Sequence, residues 1–250
     1  MYLLIYTLLF ELNMPSAYDI ALAISRYSQF PKKNLITPKS FSFDYILYRI
    51  ARPVLKVNYK LFKSRNPQAP WTSQASIKIF EKILTKDMNG FEYGSGNSTV
   101  FFAKHLKNLI SIEHNQDWFN TVKANLKKLN LTNVDYRFIP MAKDSSLKRD
   151  YSFYKDFNLT EQDFQIRSEY HDYFSFVKEY PDNHFDFVMV DGRARVECCL
   201  NAIPKLKSRG IFVLDNSDRA RYKPVFTVLE SWKSITTTTG LFDTTIWFKP

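Results

Sequence analysis

The sequence predicts an α/β fold: a mostly parallel sheet with helices on both faces, a closing antiparallel hairpin and a helical N-terminal extension. Three observations carry this. From residue 71 onward, short apolar runs of strand length alternate with helical patterns. The segment Glu92-Tyr93-Gly94-Ser95-Gly96-Asn97-Ser98 joins the first apolar run to a helical pattern through a tight glycine turn. Near the C-terminus, Thr236–Thr239 and Thr244–Phe248 flank Gly240 as a hairpin would.

The elements follow in order. Trp71 to Leu84 reads as a helix capped by Ser73, with Ile77, Phe80, Ile83 and Leu84 inward. Strands are expected at Gly90–Tyr93, Leu109–Glu113, Val134–Ile139, Phe185–Val190 and Gly210–Leu214. Helices are expected at Ser98–Leu106, Gln116–Leu129, Tyr170–Tyr180, Ala194–Leu206 and Pro224–Trp232. Residues 141–167 are polar and irregular and read as a loop over the site.

Two regions are expected: a basic helical extension, 1–70, and a main domain, 71–250. The 250 residues carry a net charge of +10. The first 70 hold ten Lys or Arg against three Asp or Glu, and so most of the excess. Within them, Ile46, Leu47, Ile50, Val54, Val57 and Leu61 recur at helical spacing, beside Arg49, Arg52, Lys56, Lys60 and Lys63. Pro53 is expected to kink or interrupt this helix. Residues 43–65 read either as a helix on the main domain with a solvated basic face, or as a peripheral contact with an anionic membrane. Nucleic acid is disfavoured, because no recognition motif accompanies the charge. The apolar run Met1–Phe10 is too short to span a bilayer and lacks a basic leader, so a transmembrane segment or signal peptide is not expected. Two adjacent cysteines, Cys198 and Cys199, make no disulfide framework and point to a reducing, cytoplasmic setting.

In a doubly wound sheet, ligands bind beyond the carboxyl ends of the strands. Polar residues just after strands are therefore the site candidates. Gly94 and Gly96 let a cofactor approach the backbone, and Ser98 or Thr99 can cap the following helix. A carboxylate at Glu92 would repel a pyrophosphate and attract a cation. The third glycine of a dinucleotide fingerprint is also missing, because position 99 is Thr. Both features count against NAD. Glu113 ends the second strand, where a carboxylate can accept both hydroxyls of a ribose. Asp191 follows a buried strand and needs a task or a partner; Arg193 and Arg195 are the nearest cations in sequence. Asp215-Asn216 ends the next strand.

Glu92-x-Gly94-x-Gly96-x-Ser98, then Ser111-Ile112-Glu113-His114, then Phe185–Arg193 with Asp191 resemble the class I S-adenosylmethionine-dependent methyltransferases over roughly residues 73–250. The resemblance implies a three-layer Rossmann-like fold whose seven-stranded sheet ends in an antiparallel hairpin. It also implies S-adenosylmethionine as cofactor. Glu92, Gly94, Ser95, Gly96, Asn97 and Ser98 would surround its methionine end, Glu113 its ribose, and His114 and Ala142 its adenine side. Asp191, Asp215 and Asn216 partly resemble the metal site of cation-dependent O-methyltransferases, which implies Mg²⁺. Arg193 would instead suit an anionic group of the substrate.

These readings combine into an expectation of methyl transfer, to oxygen, on a small-molecule acceptor, sugar- or lipid-linked if the basic helix touches membrane. Asp191 and Arg193 are the catalytic candidates. An NAD-dependent oxidoreductase and a non-catalytic cofactor-binding module remain the alternatives.

Overall fold

The computed structural model describes residues 15–26, 43–142, 152–160 and 162–250, with side chains from residue 46 onward in the second segment. The apolar run Met1–Phe10 and part of the loop expected over the site lie outside the described residues.

Among the described residues, three helices come first. Helix α1 is Ala17–Ser25, α2 is Phe43–Arg65 and α3 is Gln74–Ile83. Ser16 caps α1 through a reciprocal capping box with Asp19. Ser73 caps α3, as its hydroxyl accepts the Ser76 amide at 3.1 Å. Helix α2 runs through Pro53 without ending, so of the expected kink or interruption the interruption does not occur. Proline there removes one backbone donor, and the flanking turns keep theirs.

The main domain alternates as expected: β1 (Asn89–Tyr93), α4 (Asn97–His105), β2 (Asn108–Glu113), α5 (Gln116–Lys128) and β3 (Val134–Phe138). After the intervening loop come α6 (His171–Ser175), β4 (Phe185–Val190), α7 (Arg195–Ala202) and β5 (Leu206–Asp215). Helix α8 (Lys223–Val228) and the hairpin β6 (Lys233–Thr238) and β7 (Asp243–Phe248) complete it. The expected helix Tyr170–Tyr180 is instead three short pieces, α6 between 3₁₀ turns at Ser168–Tyr170 and Phe176–Glu179. Tyr173, Phe174 and Val177 are its fully buried side chains. Pro181 stops the segment by disfavouring helical geometry at Tyr180.

Seven strands form one sheet in the order β3-β2-β1-β4-β5-β7-β6. The first five pair in parallel, and β7 runs antiparallel to both β5 and β6. Alternation along the strands splits the core in two. Val188, Val190, Phe212 and Leu214 face one side with α6, α7 and α8. Phe187, Met189, Ile211 and Val213 face the other, with α3 and α4. Helix α1 belongs to that second layer, where Ala21 is fully buried and Tyr18 meets Phe248 edge-on at 5.5 Å. The strand order reverses between β1 and β4, so both carboxyl ends open onto one crevice.

Candidate functional site

A cavity of about 830 Å³ lies at that crevice. Its walls come from the β1–α4 turn, the end of β2, the β4–α7 turn, residues 163–167 and residues 219–222. Of the residues expected at the site, Gly94, Ser95, Glu113, His114, Asp191 and Arg193 line it together. Glu92, Gly96, Asn97, Ser98, Ala142, Asp215 and Asn216 do not.

The turn is built by contact between backbones. Gly94 has φ +87°, and a Cβ there would stand 2.6 Å from the Cα of Gly192. Only glycine allows this approach, which brings the ends of β1 and β4 together. Asn97 turns away from the cavity and donates to the carbonyl of Pro67 at 2.7 Å, tying the turn to the segment before α3. Ala142 donates its amide to the Glu169 carbonyl at 2.9 Å, outside the cavity wall.

Glu92 sits beneath the turn. It alternates with Phe91 and Tyr93 on β1, so its carboxyl points to the opposite sheet face and is fully buried. One oxygen, Oε2, accepts the hydroxyls of Thr99 and Ser111, each at 2.6 Å. The other, Oε1, has no hydrogen-bond partner, although the Ser98 hydroxyl faces the same carboxyl. Burial pushes its pKa up to about 7, against the pull of those hydroxyls, and Asp191 adds repulsion.

Glu113 is held differently. Its Oε1 accepts the amides of His114 and Asn115, each at 2.8 Å. Its Oε2 accepts the amide and hydroxyl of Ser95, each at 3.1 Å. Burial raises its pKa, but these bonds and the adjacent His114 outweigh burial and hold it below the usual range. The carboxylate therefore pins the glycine turn onto β2. A ribose would reach it by taking over the acceptor positions now used by Ser95. The His114 ring completes the contact, with Nδ1 2.9 Å from Glu113 Oε1. Trp118 closes the same corner, where its indole N–H donates to the Ser95 carbonyl at 2.7 Å.

At the end of β4 the dominant residue is Arg195. Its Nη2 donates to Asp191 Oδ1 at 2.7 Å and to the Asp191 carbonyl at 2.8 Å. Its Nε donates to the Gly192 carbonyl at 3.0 Å, and Nη1 donates to the Asp215 carbonyl. One guanidinium thus ties the ends of β4 and β5 together. The preceding Ala194 adopts a left-handed conformation, φ +46°, uncommon for a residue with a side chain. Burial raises the pKa values of both Asp191 and Asp215, and Arg195 counters this.

This arrangement corrects the expected metal site. Asp191 is engaged by Arg195, Asp215 Oδ1 accepts Thr244 at 2.7 Å, and Asn216 Oδ1 accepts Arg219 at 3.0 Å. A guanidinium already supplies the positive charge between the two carboxyls. Among the described residues, no group of three His, Cys, Asp or Glu side chains has metal-binding geometry. The residues do not fit Mg²⁺.

Sequence reasoning undervalued several residues. Arg195 was visible only as one possible partner of Asp191, four positions on. Arg167 donates its amide to Glu197 at 2.6 Å and so closes the outer wall, a pairing 30 positions apart with no local signal. Among the described residues, no side chain bonds the guanidinium of Arg193, which is exposed at the cavity mouth near Arg219 and Arg221.

No protein family matches the sequence, and no curated protein matches it. Solved structures do. A precorrin-6y C5,15-methyltransferase from Geobacter metallireducens is 15% identical, with TM-score 0.46 over 67% of this chain and 82% of that one. A methyltransferase-like protein from Silicibacter pomeroyi is 21% identical, with TM-score 0.44 over 65% and 79%. A precorrin 8w decarboxylase from Methanobacterium thermoautotrophicum is 14% identical, with TM-score 0.46 over 74% and 95%. At TM-scores below 0.5 these likenesses carry no argument about this chain. Its own mostly parallel seven-stranded sheet with an antiparallel hairpin is the architecture that the sequence resemblance implied.

Proposed function

We propose that this chain is an S-adenosylmethionine-dependent methyltransferase acting on a small acceptor that carries an anionic group. The observation behind the reading is electrostatic. Glu92, Asp191 and Asp215 gather at the ends of β1, β4 and β5 with Arg195 as the one cation bonded among them in the described residues. A cluster short of positive charge, beside a glycine turn and a ribose-compatible carboxylate, suits a ligand that is cationic at sulfur and at its amine. The unpartnered Glu92 Oε1 marks the same shortage.

Gly94 to Gly96 and Glu113 would hold the cofactor, and Trp118 would shield it from water. When bound, the cofactor supplies a methyl group already activated by its sulfonium. The protein's task is then alignment and proton removal. Asp191, hydrogen-bonded by Arg195 and open to the cavity, would accept the proton of an acceptor hydroxyl as that oxygen took the methyl group and the methyl–sulfur bond broke. Arg195 keeps Asp191 from swinging away. Arg193, with Arg219 and Arg221 lining the same cavity, binds the anionic group of the acceptor, because a guanidinium meets a carboxylate or phosphate with two donors at once.

Titration calorimetry of the full chain with S-adenosylhomocysteine and with NADH tests the cofactor. The reading predicts binding of the first and none of the second. Binding of NADH alone would support an oxidoreductase and end it.

A further inference from the structure

Helix α2 has two faces, and among the described residues only one of them meets the rest of the protein. The used face is short. Leu55 is buried against Gly240, where an added Cβ would stand 2.9 Å from a Leu55 methyl. Tyr59 meets Phe242 edge-on at 5.3 Å. Phe62 reaches the core layer beneath α3 and α4, and Lys63 lies over the Trp71 ring at 3.6 Å. These contacts fix how the helix is turned about its axis.

The other face carries the apolar stripe, and no described residue covers it. Ile50 and Val54 are each 70% exposed, Val57 is 59%, and Ile46, Leu47 and Leu61 are 46–47% exposed. A soluble surface rarely leaves six large apolar side chains contiguous on one helix. The stripe is flanked along one edge by Arg49, Lys56 and Lys60, all exposed. Arg52 and Lys63, turned toward the body, are only half-exposed. The helix holds six basic residues and one acidic residue, Asp44.

We infer that this face of α2 docks on an anionic lipid surface, with the stripe from Ile46 to Leu61 in the acyl boundary and Arg49, Lys56 and Lys60 at the headgroups. Charge decides the occupant. A second copy of the helix would offer the same apolar stripe but bring its own excess of five positive charges against the first. An anionic bilayer accepts the stripe and neutralises the cations together. The helix lies on the membrane and does not cross it, since no helix among the described residues is long and apolar enough to span a bilayer. This docking does not depend on which cofactor the cavity takes.

The test is flotation of the full chain with vesicles of phosphatidylcholine, with and without phosphatidylglycerol. Flotation is expected only with the anionic lipid. Ile50→Asp with Val54→Asp should abolish it, and Lys56→Glu with Lys60→Glu should weaken it about tenfold or more. All four positions are exposed, so the thermal melt of each variant should match the parent. Flotation that is equal on both vesicles, or that survives the aspartate pair, would overturn the inference. So would a dimer by sedimentation that the aspartate pair dissolves while vesicles go unbound, which would assign the face to a second copy. A monomer that binds neither vesicle would overturn it as well.

Discussion

The guanidinium of Arg195 lies 2.7 Å from the carboxylate of Asp191, four residues earlier in the chain, and reaches past it to the carbonyl at the end of β5. That contact makes Arg195 the keystone of the site. Removing it with Arg195→Met would leave a buried carboxylate and strand-end carbonyls without their donor. The expected cost is about 3–5 kcal/mol. Thermal denaturation should report a fall of roughly 10 °C, and Arg195→Lys should recover only part of it, because one ammonium cannot span the same acceptors.

The same guanidinium predicts metal independence. Methyl transfer should be unchanged by EDTA and unstimulated by Mg²⁺. A chelator-sensitive rate restored by Mg²⁺ would mean that Arg195 vacates its position in the working enzyme.

Glu92 predicts a pH dependence of stability. Its folded pKa is about 7 against 4.5 for an unhindered glutamate, so between those values the folded chain holds a proton that the unfolded chain has lost. Stability from this group is therefore present below pH 4.5, declines as pH rises, and is gone above pH 7. The full span is worth about 3 kcal/mol. Glu92→Gln removes the dependence, so its melting temperature should gain on the parent at pH 8 more than at pH 5. A cationic cofactor favours the ionised form, so binding of S-adenosylmethionine near pH 7 should release a proton. Calorimetry in buffers of different ionisation enthalpy measures that release.

Gly94→Ala tests the turn. The added Cβ meets the Gly192 backbone at 2.6 Å, and φ +87° disfavours any side chain. Destabilisation above about 1 kcal/mol is expected, with S-adenosylhomocysteine binding weakened more than about tenfold as the two strand ends separate. Equal affinity in the variant would show that the cofactor does not contact this turn.

Arg193→Ala tests the acceptor. Its side chain supports no other described residue, so the melt should not move. For an anionic acceptor, KM should rise about tenfold or more with kcat little changed, and Arg193→Lys should recover part of the loss. An anionic acceptor unaffected by the change would remove Arg193 from substrate binding.

The sequence by itself determined the order of strands and helices, the glycine turn and the carboxylate ending β2, because each depends on neighbours within a turn or two of the chain. Alternation on β1 even held the orientation of Glu92, since Phe91 and Tyr93 claim one sheet face and leave it the other. Only the tertiary structure decided the rest. The reversal of strand order between β1 and β4 brought Gly94 against Gly192 and set Asp191 beside Asp215. It placed an arginine where the aligned acidic residues had suggested a metal. It also chose which stripe of α2 to bury: Leu55, Tyr59 and Phe62, not the more regular apolar row. Periodicity tells which residues share a face. Which face finds a partner is settled by segments distant in sequence, and that information is not local.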